Sequence, residues 1–131
     1  MHSILLVDDD EDILFFFRAM LEDEGYRVET SATGREALEK AKASSYDLMF
    51  VDYMLADIKG DVLADELKRL NSSAVIFYLT GCRLSKEELM RTDAVRDVLV
   101  KPVTSDSLLA MVRRALDVPV TDNEPITVEK S

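Results

Sequence analysis

Four apolar runs in this chain end abruptly in residues that can do chemistry. Ser3–Val7 stops at Asp8-Asp9, Leu48–Val51 stops at Asp52, residues 74–79 stop at Thr80, and residues 95–100 stop at Lys101. Carboxylates brought to one place repel one another unless a cation sits among them. A carboxylate set suits Mg²⁺, which takes few protein ligands and keeps waters that a phosphate can replace. A lysine among them adds positive charge for phosphate. A carboxylate nucleophile, a divalent cation, an ammonium and a hydroxyl together describe phosphoryl transfer to an aspartate. The cation and the lysine would neutralise charge on the oxygens of the group in transfer.

The elements that must position these residues can be read from periodicity. Short apolar runs at Ser3–Val7, 26–30, Leu48–Val51, 74–79 and 95–100 alternate with amphipathic stretches. Ile13, Phe17, Met20 and Leu21 recur at helical spacing up to Gly25, a C-cap residue. Thr33 with Glu36, and Ser85 with Glu88, have the spacing of capping boxes. Val62, Leu63, Leu67 and Leu70 carry a third helix, and Thr104 or Ser105 opens a last one through Leu108, Met111, Val112 and Leu116. The pattern is a strand–helix pair repeated five times. Strands apolar on both faces, alternating with helices, form a parallel sheet covered on both sides. In such sheets the ligand crevice lies at the carboxyl ends of the strands, where Asp8, Asp9, Asp52, Thr80 and Lys101 all fall.

Composition narrows the partners. The chain has 131 residues, the length of a single domain, and 26 acidic against 16 basic residues, a net charge of −10. That balance argues against nucleic acid, which needs a basic footprint, and fits a hard cation or a basic partner surface. One cysteine, Cys82, and one histidine, His2, exclude an internal disulfide, a Cys- or His-based metal site and a His-dependent triad. Cys82 reads as a small loop or packing residue. No apolar run reaches membrane-spanning length, and the N-terminus lacks a signal-peptide pattern, so a cytoplasmic setting is expected. An EF-hand fails: Asp8, Asp10 and Asp12 alternate, but Ile13 stands at the turn glycine and Ala19 at the bidentate acid. Asp10, Glu11 and Asp12 suit a helix N-terminus.

The segments Ile4-Leu5-Leu6-Val7-Asp8-Asp9-Asp10, Asp47-Leu48-Met49-Phe50-Val51-Asp52-Tyr53-Met54-Leu55, Tyr78-Leu79-Thr80-Gly81 and Val100-Lys101-Pro102 together resemble the receiver domain of two-component response regulators. The resemblance covers residues 3–117, which sets a receiver domain over 1–117 and a tail or start of a linker over 118–131. It implies a flavodoxin-like (βα)5 three-layer sandwich with strand order 2-1-3-4-5. It implies Asp52 as phospho-acceptor from a histidine kinase or histidine phosphotransfer protein. Mg²⁺ would be held by Asp8, Asp9, Asp52 and the backbone carbonyl of Met54. Thr80 would be the switch hydroxyl and Lys101 the phosphate-pairing cation, with a cis Lys101-Pro102 bond. The output surface would be the fourth helix, fifth strand and fifth helix, towards an output partner or domain that the residues do not identify. A homodimer is left open.

Several positions depart from that family pattern. Val98 stands where an aromatic switch residue is usual, Ala56 where a proline is usual, and Gly81 where an alanine is usual; Gly60 is kept. The stretch Met90–Arg96 lacks the common Gly-Ala, which leaves the length of the fourth helix open. In Phe15-Phe16-Phe17, a helix with Ile13, Phe17 and Met20 on the sheet leaves Phe15 on the far side. Phe15 is then either an incidental exposed residue or, with Leu14 and Arg18, a docking stripe for the phosphoryl donor. Two other function classes remain. One is an Asp-nucleophile phosphatase of haloacid-dehalogenase type, for which Asp8 and Asp10 have the spacing. The other is a receiver-like interaction module that is never phosphorylated.

Overall fold

The computed structural model describes residues 2–81 and 85–117. Cys82 and the 118–131 segment lie outside the described residues. Five strands, β1 (Ser3–Val7), β2 (Arg27–Ser31), β3 (Leu48–Val51), β4 (Val75–Thr80) and β5 (Asp97–Val100), alternate with α1 (Glu11–Asp23), α2 (Gly34–Ala43), α3 (Gly60–Leu70), α4 (Lys86–Leu89) and α5 (Ser105–Val112). A π-helical turn, Arg113–Asp117, extends α5. The strands form one sheet in the order β2-β1-β3-β4-β5, with every pair parallel. This is the expected flavodoxin-like (βα)5 architecture.

Burial on both sides explains the apolar runs. Successive side chains of a strand point to opposite faces. Leu5, Val7, Met49, Val51, Ile76 and Tyr78 pack against Ala37, Ala41, Leu63 and Leu67 of α2 and α3. Ile4, Leu6, Leu48, Phe50, Phe77 and Leu79 pack on the other face against Leu14, Phe17 and Leu21 of α1 and Leu108 and Val112 of α5. Among the described residues, no helix is long and apolar enough to cross a membrane.

The caps are largely as the residue types dictate. Asp10 caps α1 by accepting from the amides of Asp12 and Ile13, and Gly25 follows the helix at φ 95°. Ser85 and Glu88 form a reciprocal capping box at 3.1 Å in both directions. Thr33 accepts from Glu36 N, but the Glu36 carboxylate reaches Ala32 N rather than closing the box. Thr104, not Ser105, caps α5.

Three readings shift. The buried stripe of α1 is Leu14, Phe17 and Leu21, with Ile13 and Met20 only half-buried at its edges. Leu14 therefore belongs to the core, not to an exposed docking stripe. The β2 and β4 boundaries lie one residue later than the apolar runs, because the ladders continue into polar ends such as Thr80, paired with Val100. The β5 ladder begins at Asp97, and α4 is a single turn.

The loop after β3 has no proline at Ala56, yet it is closed tightly. Met54 and Lys59 form an antiparallel bridge, and Gly60 N donates to Tyr53 O at 3.1 Å. A Cβ on Gly60 would lie 2.6 Å from the Tyr53 Cα, closer than backbone atoms allow. Gly60→Ala is therefore expected to cost about 1–3 kcal/mol by overpacking, read as a lower urea midpoint with an unchanged m-value.

Candidate functional site at the carboxyl ends of the strands

Backbone ladders carry the polar residues just past the strands. Asp8 N donates to Ser31 O at 3.1 Å, Asp52 N to Val7 O at 2.8 Å, and Lys101 N to Thr80 O at 2.8 Å. Each residue continues a paired strand, so its Cα position is set by the sheet. The Asp8 and Asp52 side chains then fold back in the same way. Asp8 Oδ1 accepts from Asp10 N at 2.9 Å, and Asp52 Oδ1 accepts from Met54 N at 3.0 Å. The second oxygens both face one cation: Lys101 Nζ lies 2.8 Å from Asp8 Oδ2 and 3.3 Å from Asp52 Oδ2. The Lys101-Pro102 bond is cis.

Asp8, Asp9 and Asp52 each offer an oxygen, all within 4.8 Å of one another. Asp8 and Asp52 are buried, and Asp9 stands exposed at the rim. Burial pushes the Asp8 carboxyl above its ordinary pKa, and the charge of Asp52 adds to that; Lys101 and the Asp10 amide pull the other way without cancelling it. Burial works to lower the Lys101 pKa, but Asp8 and Asp52 outweigh it, so the ammonium form is favoured. Asp8 Oδ2 is fully buried and receives no hydrogen bond of good geometry, only the ion-pair contact. A buried carboxylate oxygen of that kind, beside two more carboxylates, fits a small hard cation with oxygen ligands.

Of the other expected site residues, Thr80 is fully buried at the end of β4. The Met54 side chain is 60% exposed, while its backbone is held by Asp52 and by the bridge to Lys59. Asp10 caps α1 and does not join the cluster, so the Asp8/Asp10 pair that a haloacid-dehalogenase-type enzyme needs is not assembled. Phe15 is 78% exposed, and Arg18 pairs with Glu22 at 3.1 Å. A groove of about 330 Å³ holds Phe15 and Arg18 together with Thr30 and Glu36. On the other side of α1, a groove of about 460 Å³ runs from Phe16 to Lys101 and Pro102. The sequence reading missed Phe16 as a groove residue, although the triple Phe was its signal. It also missed Asp57, whose carboxylate accepts from Gly34 N and Arg35 N at 2.9 Å each.

An open parallel sheet with carboxylates on either side of its order reversal defines a class, the α/β domains that bind ligands at a topological switch point. The family model described as response regulator receiver domain matches residues 4–113, and the chain belongs to that family. It is similar to the transcriptional regulatory protein ZraR of Escherichia coli (strain K12), 33% identical over 116 residues, which cover 87% of this chain and 26% of that protein. The chain thus spans about a quarter of that relative's length. Among solved structures, a CheY-like receiver domain protein from Methanospirillum hungatei JF-1 superposes with a TM-score of 0.84 at 31% identity, over 89% of this chain and 94% of that one. TrrA from Thermotoga maritima, solved in complex with Mg(2+)-BeF, superposes with a TM-score of 0.75 at 32% identity, over 88% and 100%.

Removing Lys101 would leave two buried carboxylates facing each other. Lys101→Met is expected to lower metal-free stability at neutral pH by about 3 kcal/mol. The deficit should shrink in acid, because Asp8 takes up a proton as the pH falls through its raised pKa. Urea unfolding of both proteins across pH checks the sign.

Proposed function

We propose that Asp52 accepts a phosphoryl group from a histidine kinase or histidine phosphotransfer protein, with Mg²⁺ held by Asp8, Asp9, Asp52 and the Met54 carbonyl. The observation that carries this reading is the convergence of three carboxylates within 4.8 Å on a lysine that touches two of them. A phosphorylated donor imidazole presents its phosphorus to the Asp52 carboxylate. The new P–O bond forms as the P–N bond breaks, and the imidazole leaves with the bonding pair and takes up a proton. The cation, when bound, would neutralise charge on the transferring oxygens and orient them. The Met54 amide holds Asp52 Oδ1 in place, and Lys101 stands ready to pair with the phosphoryl oxygens.

The product is a mixed anhydride that water cleaves, returning Asp52 and inorganic phosphate. The chain is therefore a switch that assists its own phosphorylation and dephosphorylation, not an enzyme with an external substrate. A phosphoryl group adds roughly −1.5 to −2 charge and three acceptor oxygens. Lys101 and the Thr80 hydroxyl would satisfy those oxygens, and the move of Thr80 would change the surface of α4, β5 and α5. With Val98 in place of an aromatic ring, that change does not use a ring flip at this position. The net charge of −10 sets nucleic acid aside as the partner of these residues. The donor would dock across α1, where Phe15 and Phe16 are 78% and 55% exposed and Phe16 borders the groove that ends at Lys101.

Incubation with acetyl phosphate and Mg²⁺ should add one phosphoryl group by mass, labile to hydroxylamine, absent without metal and absent in Asp52→Ala. An unchanged mass would favour a phosphorylation-independent interaction module. Phe15→Ala should slow transfer from a phosphorylated donor protein while leaving acetyl phosphate labelling unchanged. Equal effects on both reactions would remove Phe15 from the docking surface.

A further inference from the structure

The loop between β3 and α3 carries Met54, whose carbonyl the reading above assigns to the metal. Its near end is fixed, with Met54 N on Asp52 Oδ1 at 3.0 Å. Its far side is fixed by a contact across the fold: both oxygens of Asp57 accept from the first amides of α2, Gly34 N and Arg35 N, at 2.9 Å each. These two amides have no partner within their own helix. The next, Glu36 N, is met by Thr33 Oγ1 at 3.1 Å, and Ala37 N begins the helical ladder on Thr33 O at 3.1 Å. The start of α2 is thus capped by two residues with different origins. Thr33 is local, and Asp57 arrives from a loop more than twenty residues away.

The close approach has its own signature in the sequence. A Cβ on Gly34 would lie 3.1 Å from Ile58 Cδ1 and 3.3 Å from Asp57 Oδ1, so the absence of a side chain there lets the loop sit against the helix. Ile58 packs against the core beside this contact. The two amides hold the Asp57 carboxyl below its ordinary pKa, Gly34 more than Arg35, which keeps it an acceptor. With Ala56 in the loop, no proline ring restrains it, and Asp57 is what fastens it to a helix.

We propose that Asp57 is a positioning residue for the Mg²⁺ site, latching residues 53–59 onto α2 so that the Met54 carbonyl is held in place for the cation. The inference rests on the metal reading above. Residues that orient a metal ligand typically change affinity by about 10–100-fold when removed. Asp57→Ala should weaken Mg²⁺ binding about tenfold, followed by the amide resonances of Asp9 and Met54 in a MgCl₂ titration of the unphosphorylated chain.

The control is Thr33→Ala, which removes the local cap of the same helix and leaves the loop latched. It should lower the melting temperature while leaving the Mg²⁺ affinity at the wild-type value. Asp57→Asn keeps one acceptor oxygen for the two amides, so it should retain α2 with an intermediate affinity, and it carries the test if the alanine variant does not fold. Wild-type affinity in both Asp57 variants, or an equal loss in Thr33→Ala, would overturn the positioning role. A wild-type chain whose Asp9 and Met54 resonances ignore MgCl₂ would overturn the metal reading itself, and the latch with it.

Discussion

Like charges held close together in a poorly solvated pocket are the constraint on which the rest of this structure depends. Asp8 and Asp52 are buried, and with Asp9 they offer oxygens within 4.8 Å of one another. Two unit charges about 4 Å apart repel by roughly 4 kcal/mol at an effective dielectric of about 20. A domain has a net stability of only about 5–15 kcal/mol, so such a cluster is a substantial fraction of the whole. Lys101 is the offset supplied by the chain itself, reaching two of the three carboxylates. The remaining excess of negative charge suits the pocket to a cation, because a divalent ion would relieve repulsion that the fold otherwise has to bear.

Deeply buried strands lie beneath the site. Asp8 and Asp52 extend neighbouring strands whose apolar residues are almost entirely inaccessible: the four residues of β3 are all buried, as are four of the five in β1. Their amides stay in the ladder, at 3.1 and 2.8 Å from Ser31 O and Val7 O. The backbone positions that carry the carboxylates cannot move apart without breaking sheet hydrogen bonds. Gly60 and Asp57 extend this control to the loop beyond Asp52, one through a backbone contact that excludes a Cβ and the other through paired amides of α2.

The strand ends were legible because a polar residue that terminates a doubly buried strand stands out against four or five apolar neighbours. The roles attached to Asp8, Asp9, Asp52, Thr80 and Lys101 came from the family resemblance, and the spatial convergence of Asp8, Asp9, Asp52 and Lys101 needed the fold. The facing of α1 was not legible in detail. Ile13, Leu14, Phe15, Phe16, Phe17, Met20 and Leu21 offer two overlapping apolar stripes, and only packing against Leu6, Phe50 and α5 selects Leu14, Phe17 and Leu21. Asp57 was invisible for a different reason. An aspartate in a loop carries no mark of the helix it will cap, and the contact exists only because the sheet order sets α2 beside the loop after β3. The capping box at Thr33 was half right, since the Glu36 carboxylate went to Ala32 instead.

The strands that carry the site are packed to different degrees. Strands β1 and β3 lead into the carboxylates and are buried except for Ser3. On the other side, β5 is an edge strand with no fully buried residue, Val100 is 63% exposed, and α4 is one turn long. Val98 lies opposite Tyr78 in the ladder, and it is Tyr78, edge-on to Tyr53 at 5.2 Å, that fills the core there. Segments with few buried contacts are the ones that open at low free energy. Lys101 follows the lightly packed strand and makes ion pairs to the residues that follow β1 and β3, so it ties the edge to the centre electrostatically. A new negative group on Asp52 would compete for that same ammonium, and so for the contact that ties β5, the strand with the least packing to resist it, to the site.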